Sequence, residues 1–177
     1  MFRKRAVFLD RDGTLVKGVL HPDIGKQTAP FKLEEIQFDP NIDAAMQLIK
    51  DLGYLRIIVT NQPDVAYGHV TQEEWERIHR AIVARVQPDD CFMCRHPRAD
   101  NCPFRKPSPH MLLAAADKWG IDLKRSFIVG DTEYDMGAGE AAGCVRILID
   151  APYNQQVQAD HRVPGLSTAA YIISISK

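Results

Sequence analysis

The sequence predicts an α/β fold, a doubly wound, Rossmann-like parallel sheet with helices on both faces. Two observations carry this prediction. Short apolar runs without polar alternation are typical of strands that are buried on both faces. Amphipathic helical patterns separate these runs, which favours strand–helix–strand connections and therefore parallel pairing. The 177 residues contain neither an internal repeat nor a linker, so we expect one domain over 1–177.

Four apolar runs predict the strands. They lie at 5–10, 55–60, 126–130 and 144–149. Each is short and rich in Val, Ile, Leu or Phe, as buried parallel strands are.

Helix start and stop signals lie between these runs. Asp39 can cap a first helix that ends at Gly53. Thr71 and Glu74 form a capping box for a second helix. Ser108 and Pro109 open a third. A fourth helix is expected at about 134–142, and the tail at 167–177 is predicted as either a helix or an edge strand.

Charge and composition exclude several function classes. The chain has 22 Lys+Arg and 23 Asp+Glu, a net charge of −1, so it carries no global signature of nucleic-acid or anionic-membrane binding. No apolar run approaches the roughly 20 residues that span a bilayer. The apolar run at 6–9 is too short for a secretory signal. We therefore expect a cytoplasmic protein, monomeric or a small homo-oligomer.

Polar residues collect where the predicted strands end. Ligands of parallel sheets bind beyond the carboxyl ends of the strands, so these residues are expected to share one crevice. Any one of these residues alone is common in turns. Their occurrence at several strand and loop ends together predicts a functional site. They are Asp10, Asp12, Gly13, Thr60, Asn61, Arg105, Lys106, Asp131 and Asp135.

This set of side chains suits phosphoryl transfer through an aspartyl-phosphate intermediate. Asp10 at the strand tip can attack phosphorus. Asp12, two residues on, faces the same side and can act as general acid and then general base. Gly13 allows a tight turn beside the ligand. Thr60, the Asn61 backbone and Lys106 are expected to hold the phosphoryl oxygens.

The carboxylates also predict a Mg²⁺ site. Asp10 and Asp131 offer hard oxygen ligands, and the Asp12 carbonyl is a further candidate. Asp135 is expected either to bind the metal or to hold a metal-bound water. A separate cluster of Cys91, Cys94 and Cys102 suggests metal rather than disulfides, whereas Cys144 is expected in the core.

Four motifs resemble those of the haloacid dehalogenase superfamily. They are D-R-D-G-T at 10–14, T-N-Q at 60–62, R-K-P at 105–107 and G-D-x-x-x-D at 130–135. With C-x-H and C-x-x-R-K-P, the chain resembles the branch that contains the D-glycero-D-manno-heptose 1,7-bisphosphate phosphatases and the histidinol-phosphate phosphatases. The resemblance covers about 5–150.

The resemblance implies a Mg²⁺-dependent phosphomonoesterase acting on a small phosphorylated metabolite, a sugar phosphate such as D-glycero-D-manno-heptose 1,7-bisphosphate. Histidinol phosphate is the alternative substrate. The alternative of another class is a non-catalytic, phosphorylatable or ligand-binding α/β module. Superfamily members often insert a cap domain, but the motif spacing leaves no room for one. The loops at 16–38, at 64–69 and around the cysteines should therefore shape the crevice.

Several positions depart from the branch pattern. Tyr67 stands for an arginine, Thr132 for a lysine and His110 for a glycine. These changes fall on loops expected to read the substrate, so they affect specificity more than phosphatase chemistry. Arg105 is expected to contact the substrate, with Arg11 as a second candidate.

The resemblance also implies a small zinc loop at about 88–106. Phe104 stands where the branch has its last cysteine. Cys91, Cys94, His96 and Cys102 can instead supply a tetrahedral Cys₃His set. Such a zinc would be structural and would fix the loop that carries Arg105 and Lys106. A loop with free thiols and no zinc is the alternative.

Overall fold

The structure is a computed structural model that describes residues 3–176, and it confirms the predicted α/β class. The strands are β1 (Arg5–Leu9), β2 (Val19–His21), β3 (Lys26–Thr28), β4 (Tyr54–Asn61), β5 (Asp90–Cys94), β6 (Phe127–Gly130), β7 (Val145–Ile149) and β8 (His161–Val163). The helices are α1 (Ile42–Asp51), α2 (Gln72–Val86), α3 (His110–Trp119), α4 (Glu133–Ala142) and α5 (Leu166–Ile175).

Six strands form the main sheet in the order β5-β4-β1-β6-β7-β8. All neighbouring pairs in this sheet are parallel. Strands β2 and β3 form a separate antiparallel hairpin between β1 and α1. Because β1 lies between β4 and β6, the carboxyl ends of these three strands meet at the centre of one sheet edge.

Helices cover the sheet on both faces. On one face α1, α2 and α5 bury Ile49, Ile82 and Leu166 against alternate strand residues such as Val7. On the other face α3 and α4 pack against a second cluster that includes Phe8. Successive side chains of each strand point alternately into the two clusters. Because both faces of the sheet are buried, the strands are apolar at nearly every position.

The four predicted strands correspond to β1, β4, β6 and β7, and each end agrees to within one residue. The tail forms helix α5. The sequence interpretation missed β5, β8 and the β2–β3 hairpin. Strands β2, β3 and β8 have three residues each, of which two, none and one are apolar, so they are too short to show a periodicity. Strand β5 lies in the segment around the cysteines that was interpreted as a loop.

Two helix starts differ from the prediction. The Asp39 carboxylate accepts a bond from Asn41 N at 2.8 Å, so it closes a turn before α1 instead of capping it. Thr71 does cap α2, accepting from Glu74 N at 3.2 Å. The Glu74 carboxylate, however, accepts from Leu33 N at 3.0 Å, so the second half of the predicted capping box is wrong.

None of the helices in the described residues combines the length and the apolar character that crossing a bilayer requires.

Candidate active site

The predicted site residues converge at the carboxyl ends of β1, β4 and β6. All of the predicted catalytic, phosphate-binding and magnesium-binding residues except Asp135, which is fully buried, line a cavity of about 520 Å³. Its wall includes Asp10, Asp12, Thr60, Lys106 and Asp131. The β2–β3 hairpin forms another side of the cavity through Lys26, Gln27 and Thr28. The expectation that loop 16–38 shapes the crevice therefore agrees with the structure.

Lys106 is the buried cation at the centre of the site. Its Nζ donates to Asp10 Oδ1 at 2.7 Å, to Asp135 Oδ1 at 2.5 Å and to Val59 O at 2.8 Å. These three acceptors satisfy all three ammonium hydrogens. Burial alone would lower the pKa of Lys106, but the carboxylates of Asp10 and Asp135 outweigh it and hold the pKa above its usual range.

Three buried carboxylates face this single ammonium group. Ligand oxygens of Asp10, Asp131 and Asp135 lie within 4.8 Å of one another. Burial raises the pKa of Asp10 despite the opposing charge of Lys106. Burial, followed by the charges of Asp10 and Asp135, raises the pKa of Asp131. Negative charge thus exceeds positive charge in this cluster, which favours binding of a further cation.

The Asp131 carboxylate has one oxygen available for such a cation. Its Oδ2 accepts a hydrogen bond from the Tyr153 hydroxyl. Its Oδ1 is buried and has no hydrogen-bond partner among the described residues. A buried, unpaired carboxylate oxygen is costly. A hard divalent cation such as Mg²⁺ would satisfy it, so the residues present fit that metal.

Glycines make room for these carboxylates. Gly13 has φ +90, and a Cβ there would lie 2.1 Å from Asp131 Oδ2. At Gly130 a Cβ would lie 2.3 Å from Asp135 Cγ. Neither contact is possible for real atoms, so glycine is required at both positions if the carboxylates are to approach the strand ends.

Asp135 is engaged through both of its oxygens. Oδ2 accepts from Thr132 N at 3.0 Å and from Thr132 Oγ1 at 2.5 Å, which caps α4. Oδ1 accepts from Lys106. Of the two roles predicted for Asp135, these contacts favour the indirect one, in which it orients its neighbours.

Asp12 is held from the side by two other polar residues. Arg11 Nε lies 3.0 Å from each of its carboxylate oxygens, and Gln62 Nε2 donates at 2.5 Å. Arg11 is fully buried and lies outside the cavity wall, so the expectation that it contacts the substrate is wrong. Its side chain turns away from the crevice to pair with Asp12.

The predicted phosphate-binding residues divide into two kinds. Thr60 Oγ1 accepts from Gln62 Nε2 at 3.0 Å, which leaves its own hydrogen free for a phosphate oxygen. The Asn61 side chain instead holds the Lys106 backbone, accepting from its N at 3.1 Å and donating to its O at 3.2 Å. Arg105 lies on the cavity wall and donates to His96 O at 3.1 Å.

The sequence interpretation missed Tyr153, gave Gln62 no role and included Asp64 only in a loop expected to shape the crevice. Gln62 belonged to the T-N-Q motif, where a polar residue directly after a buried strand was the available signal. Tyr153 lies on the cavity wall, and the neighbouring Asn154 Nδ2 donates to Asp131 O at 2.7 Å. Asp64 is buried on the same wall, and burial raises its pKa.

The cysteine segment brings three of the four expected zinc ligands together. Ligand atoms of Cys94, His96 and Cys102 lie within 4.8 Å of one another. Cys91 does not belong to this group. It lies three residues from Cys94 on β5, so the two side chains point to opposite faces of the sheet, and Cys91 packs against the core beneath α1 and α2. Cys144 is buried in the core, as expected.

Comparisons with known proteins identify the family to which the chain belongs. The family model for haloacid dehalogenase-like hydrolases matches residues 29–143. The D-glycero-beta-D-manno-heptose-1,7-bisphosphate 7-phosphatase of Helicobacter pylori strain J99 is 33% identical over 141 residues, 76% of each chain. The D-glycero-alpha-D-manno-heptose-1,7-bisphosphate 7-phosphatase of Photorhabdus laumondii is 33% identical over 159 residues, 82% of this chain and 81% of that protein.

A solved structure shares the fold. The D,D-heptose 1,7-bisphosphate phosphatase of B. bronchiseptica, complexed with magnesium and phosphate, has a TM-score of 0.79 at 24% identity and covers 96% of this chain and 98% of its own. The chain belongs to the haloacid dehalogenase-like hydrolases. Within that family it is an enzyme of the phosphatase class.

Proposed function

We propose that this phosphatase hydrolyses a phosphate ester of D-glycero-D-manno-heptose 1,7-bisphosphate through a phosphorylated Asp10. The main support for this mechanism is that two carboxylates, those of Asp10 and Asp12, lie at the end of the same strand but have different hydrogen-bond partners. Asp10 is buried against Lys106, whereas Asp12 is bound from the side by Arg11 and Gln62. Relatives that are 33% identical over most of both chains support the sugar.

In the first step, an oxygen of Asp10 forms a bond to phosphorus. Lys106 holds Oδ1 at 2.7 Å, which leaves Oδ2 as the attacking atom. The bond from phosphorus to the sugar oxygen breaks, and its electron pair passes to that oxygen. The carboxylic acid of Asp12 supplies the proton, so the sugar leaves as a neutral alcohol.

In the second step, the Asp12 carboxylate takes a proton from water as the water oxygen bonds to phosphorus. The bond between phosphorus and Asp10 breaks, and its electrons return to the carboxylate. Inorganic phosphate leaves, and both aspartates regain their starting states. Thr60 and the Asn61 backbone are proposed to bind the phosphoryl oxygens, with Arg105 and the Gly13 turn completing the pocket. Lys106, whose ammonium hydrogens are taken by Asp10, Asp135 and Val59 O, is proposed to act through its positive charge on the cavity wall.

We propose Mg²⁺ as the cofactor, held by Asp10, the Asp12 carbonyl and Asp131, with Asp135 behind them. When bound, Mg²⁺ offsets the repulsion between an anionic nucleophile and an anionic phosphate. The clustered carboxylates and the unpaired Asp131 Oδ1 support this assignment. So does the magnesium in the B. bronchiseptica phosphatase.

We further propose a structural Zn²⁺ on Cys94, His96 and Cys102. Cys94 Sγ lies 3.8 Å from His96 Nδ1, a separation compatible with two ligands of one ion. The site would anchor the loop that leads into Arg105 and Lys106. The four cysteines are free thiols, as suits the cytoplasm, where we place the enzyme.

A substrate screen with Mg²⁺ tests the proposal. We expect the highest kcat/KM with one anomer of heptose 1,7-bisphosphate and much lower values with histidinol phosphate and simple sugar monophosphates. Asp10→Asn should abolish turnover of all of them, whereas Asp117→Asn, an exposed aspartate on α3, should leave it unchanged. A preference for histidinol phosphate would contradict the proposed substrate while preserving the chemistry.

A further inference from the structure

We infer that Arg11 and Gln62 are positioning residues that hold the carboxylate of Asp12 in the orientation needed to protonate the leaving group. The inference rests on the proposed function, because it concerns the acid–base step assigned there to Asp12. Neither residue reaches the cavity wall. Both therefore act through Asp12 rather than on the substrate.

Arg11 provides the first part of this arrangement. Its guanidinium is fully buried, and Nη2 lies 3.0 Å from Asp12 Oδ2 while Nε lies 3.0 Å from both carboxylate oxygens. A buried guanidinium without an anion is strongly destabilising, so the pair constrains both side chains. The Asp12 side chain keeps 13% of its surface exposed, which is its face toward the cavity.

Gln62 provides the second part, and its amide orientation is determined by its neighbours. Trp75 Nε1 lies 3.0 Å and Arg11 Nη2 lies 2.6 Å from Gln62 Oε1. Both groups are donors only, so the oxygen of the amide must face them. The amide nitrogen consequently points at Asp12 Oδ2, at 2.5 Å, and at Thr60 Oγ1, at 3.0 Å.

One side chain therefore links the acid–base group to the phosphate-binding hydroxyl. The NH₂ group of Gln62 donates one hydrogen to Asp12 and one to Thr60. Trp75, in turn, is fixed by α2 and by the Arg95 guanidinium, which lies 4.3 Å from its ring centroid. Every rotatable bond of the Asp12 carboxylate is thereby restrained by buried donors, as a positioned general acid requires.

The test compares two aryl phosphates that differ in how much they need a general acid. Phenol has a pKa of about 10, as the tyrosine side chain does, and p-nitrophenol is much more acidic and leaves without a proton. We expect Gln62→Met to lower kcat/KM for phenyl phosphate about 100-fold and for p-nitrophenyl phosphate less than about 5-fold, since general acids contribute about 10²–10⁴. Arg11→Lys, which keeps the charge but loses the planar fork, should show the same selectivity.

Matched controls separate positioning from general damage. Gln47→Met alters an exposed glutamine on α1, and Arg56→Lys alters a buried arginine paired with Asp89 at the other end of β4. Both should leave the ratio of the two kcat/KM values unchanged, even if Arg56→Lys lowers Tm. If Arg11→Lys does not fold, Gln62→Met decides the matter alone.

The outcome distinguishes this inference from the proposed function. Asp12→Asn should itself give a large selective loss on phenyl phosphate. If it does, and Gln62→Met lowers both substrates by the same factor, the positioning role is wrong and the acid–base role stands. If Asp12→Asn shows no selectivity, the acid–base role is wrong, and the inference is overturned with it.

Discussion

Lys106 Nζ lies 2.7 Å from Asp10 Oδ1 and joins a residue of the third motif to the tip of the first strand, 96 positions away in the chain. Asn61, in the second motif, accepts a hydrogen bond from the Lys106 backbone N. Asp135, in the fourth motif, accepts one from Lys106 Nζ. The ammonium group is thus the one cation, within residues 3–176, that contacts both Asp10 and Asp135. It fixes the Asp10 carboxylate and partly neutralises the charge of the aspartate cluster.

We expect Lys106→Met to inactivate the enzyme and to destabilise it. Removing the ammonium leaves two buried carboxylates without their partner, and breaking a buried pair in this way costs about 3–5 kcal/mol. Urea unfolding of the variant at neutral pH measures this loss. Lys118→Met provides a control, because Lys118 is exposed and its pair with Asp90 lies at the protein surface. Equal stability of the two variants would contradict the role given to Lys106.

Tyr153→Phe should weaken Mg²⁺ binding about 10-fold, measured by isothermal titration calorimetry without substrate. The phenol donates to Asp131 Oδ2 and so orients the carboxylate whose other oxygen is unpaired. Loss of such an outer contact typically costs 10–100-fold in metal affinity. Tyr171→Phe, on the exposed side of α5, is the matched control. An unchanged Mg²⁺ affinity in Tyr153→Phe would contradict this role of the Tyr153 hydroxyl in orienting Asp131.

His79 should make the protein less stable in mild acid. Burial, followed by the charges of Arg11 and Arg95, lowers the pKa of His79 from 6.5 to about 4. In the unfolded chain this histidine is protonated below about pH 6.5, whereas in the folded chain it stays neutral down to about pH 4. The free energy of unfolding therefore falls as the pH falls from 6.5 to 4. The ring is partly exposed, and we expect His79→Gln to remove about 2 kcal/mol of this loss.

Denaturant unfolding between pH 4 and 8 measures the effect on His79. Only the difference between wild type and His79→Gln is informative, because the buried aspartates titrate in the same range. His161→Gln, at an exposed position, should follow the wild-type curve. A His79→Gln curve parallel to that of wild type would contradict the assignment.

Zinc content should depend on Cys94 and not on Cys91. Cys94 lies in the three-residue cluster, whereas Cys91 is packed against the core and burial raises its pKa to about 11. We expect Cys94→Ser to lose bound zinc and Cys91→Ser to retain it, as measured by atomic emission on purified protein. Loss of zinc in both variants would favour the four-ligand set predicted from the sequence instead, and retention in Cys94→Ser would contradict a site at this cluster.

The residues within or beside apolar strands were predictable from the sequence. Asp10 and Asp131 directly follow buried strands, and Thr60 lies near the carboxyl end of β4, so the sheet topology brings the three together. Tyr153 was not predictable, because it follows the last assigned strand and reaches Asp131 only through a loop held by Asn154. The β2–β3 hairpin lacks apolar periodicity.

Two predictions were wrong because they considered only where residues lie in the sequence and not where their side chains point. Cys91 and Cys94 were grouped because their separation suits zinc, but the segment is a strand, in which residues three apart face opposite sides. Arg11 was considered as a substrate contact next to Asp10 and Asp12. Its side chain instead lies in the interior, where it pairs with the Asp12 carboxylate.

Trapping of the phosphorylated enzyme tests the central claim most directly. Asp12→Asn should slow hydrolysis of the acyl phosphate, so an acid quench during turnover of p-nitrophenyl phosphate should leave a phosphoryl group on the peptide that contains Asp10. Adding Asp10→Asn should remove it. Turnover without any phosphorylated peptide, or activity that persists in Asp10→Asn alone, would contradict a covalent mechanism at Asp10.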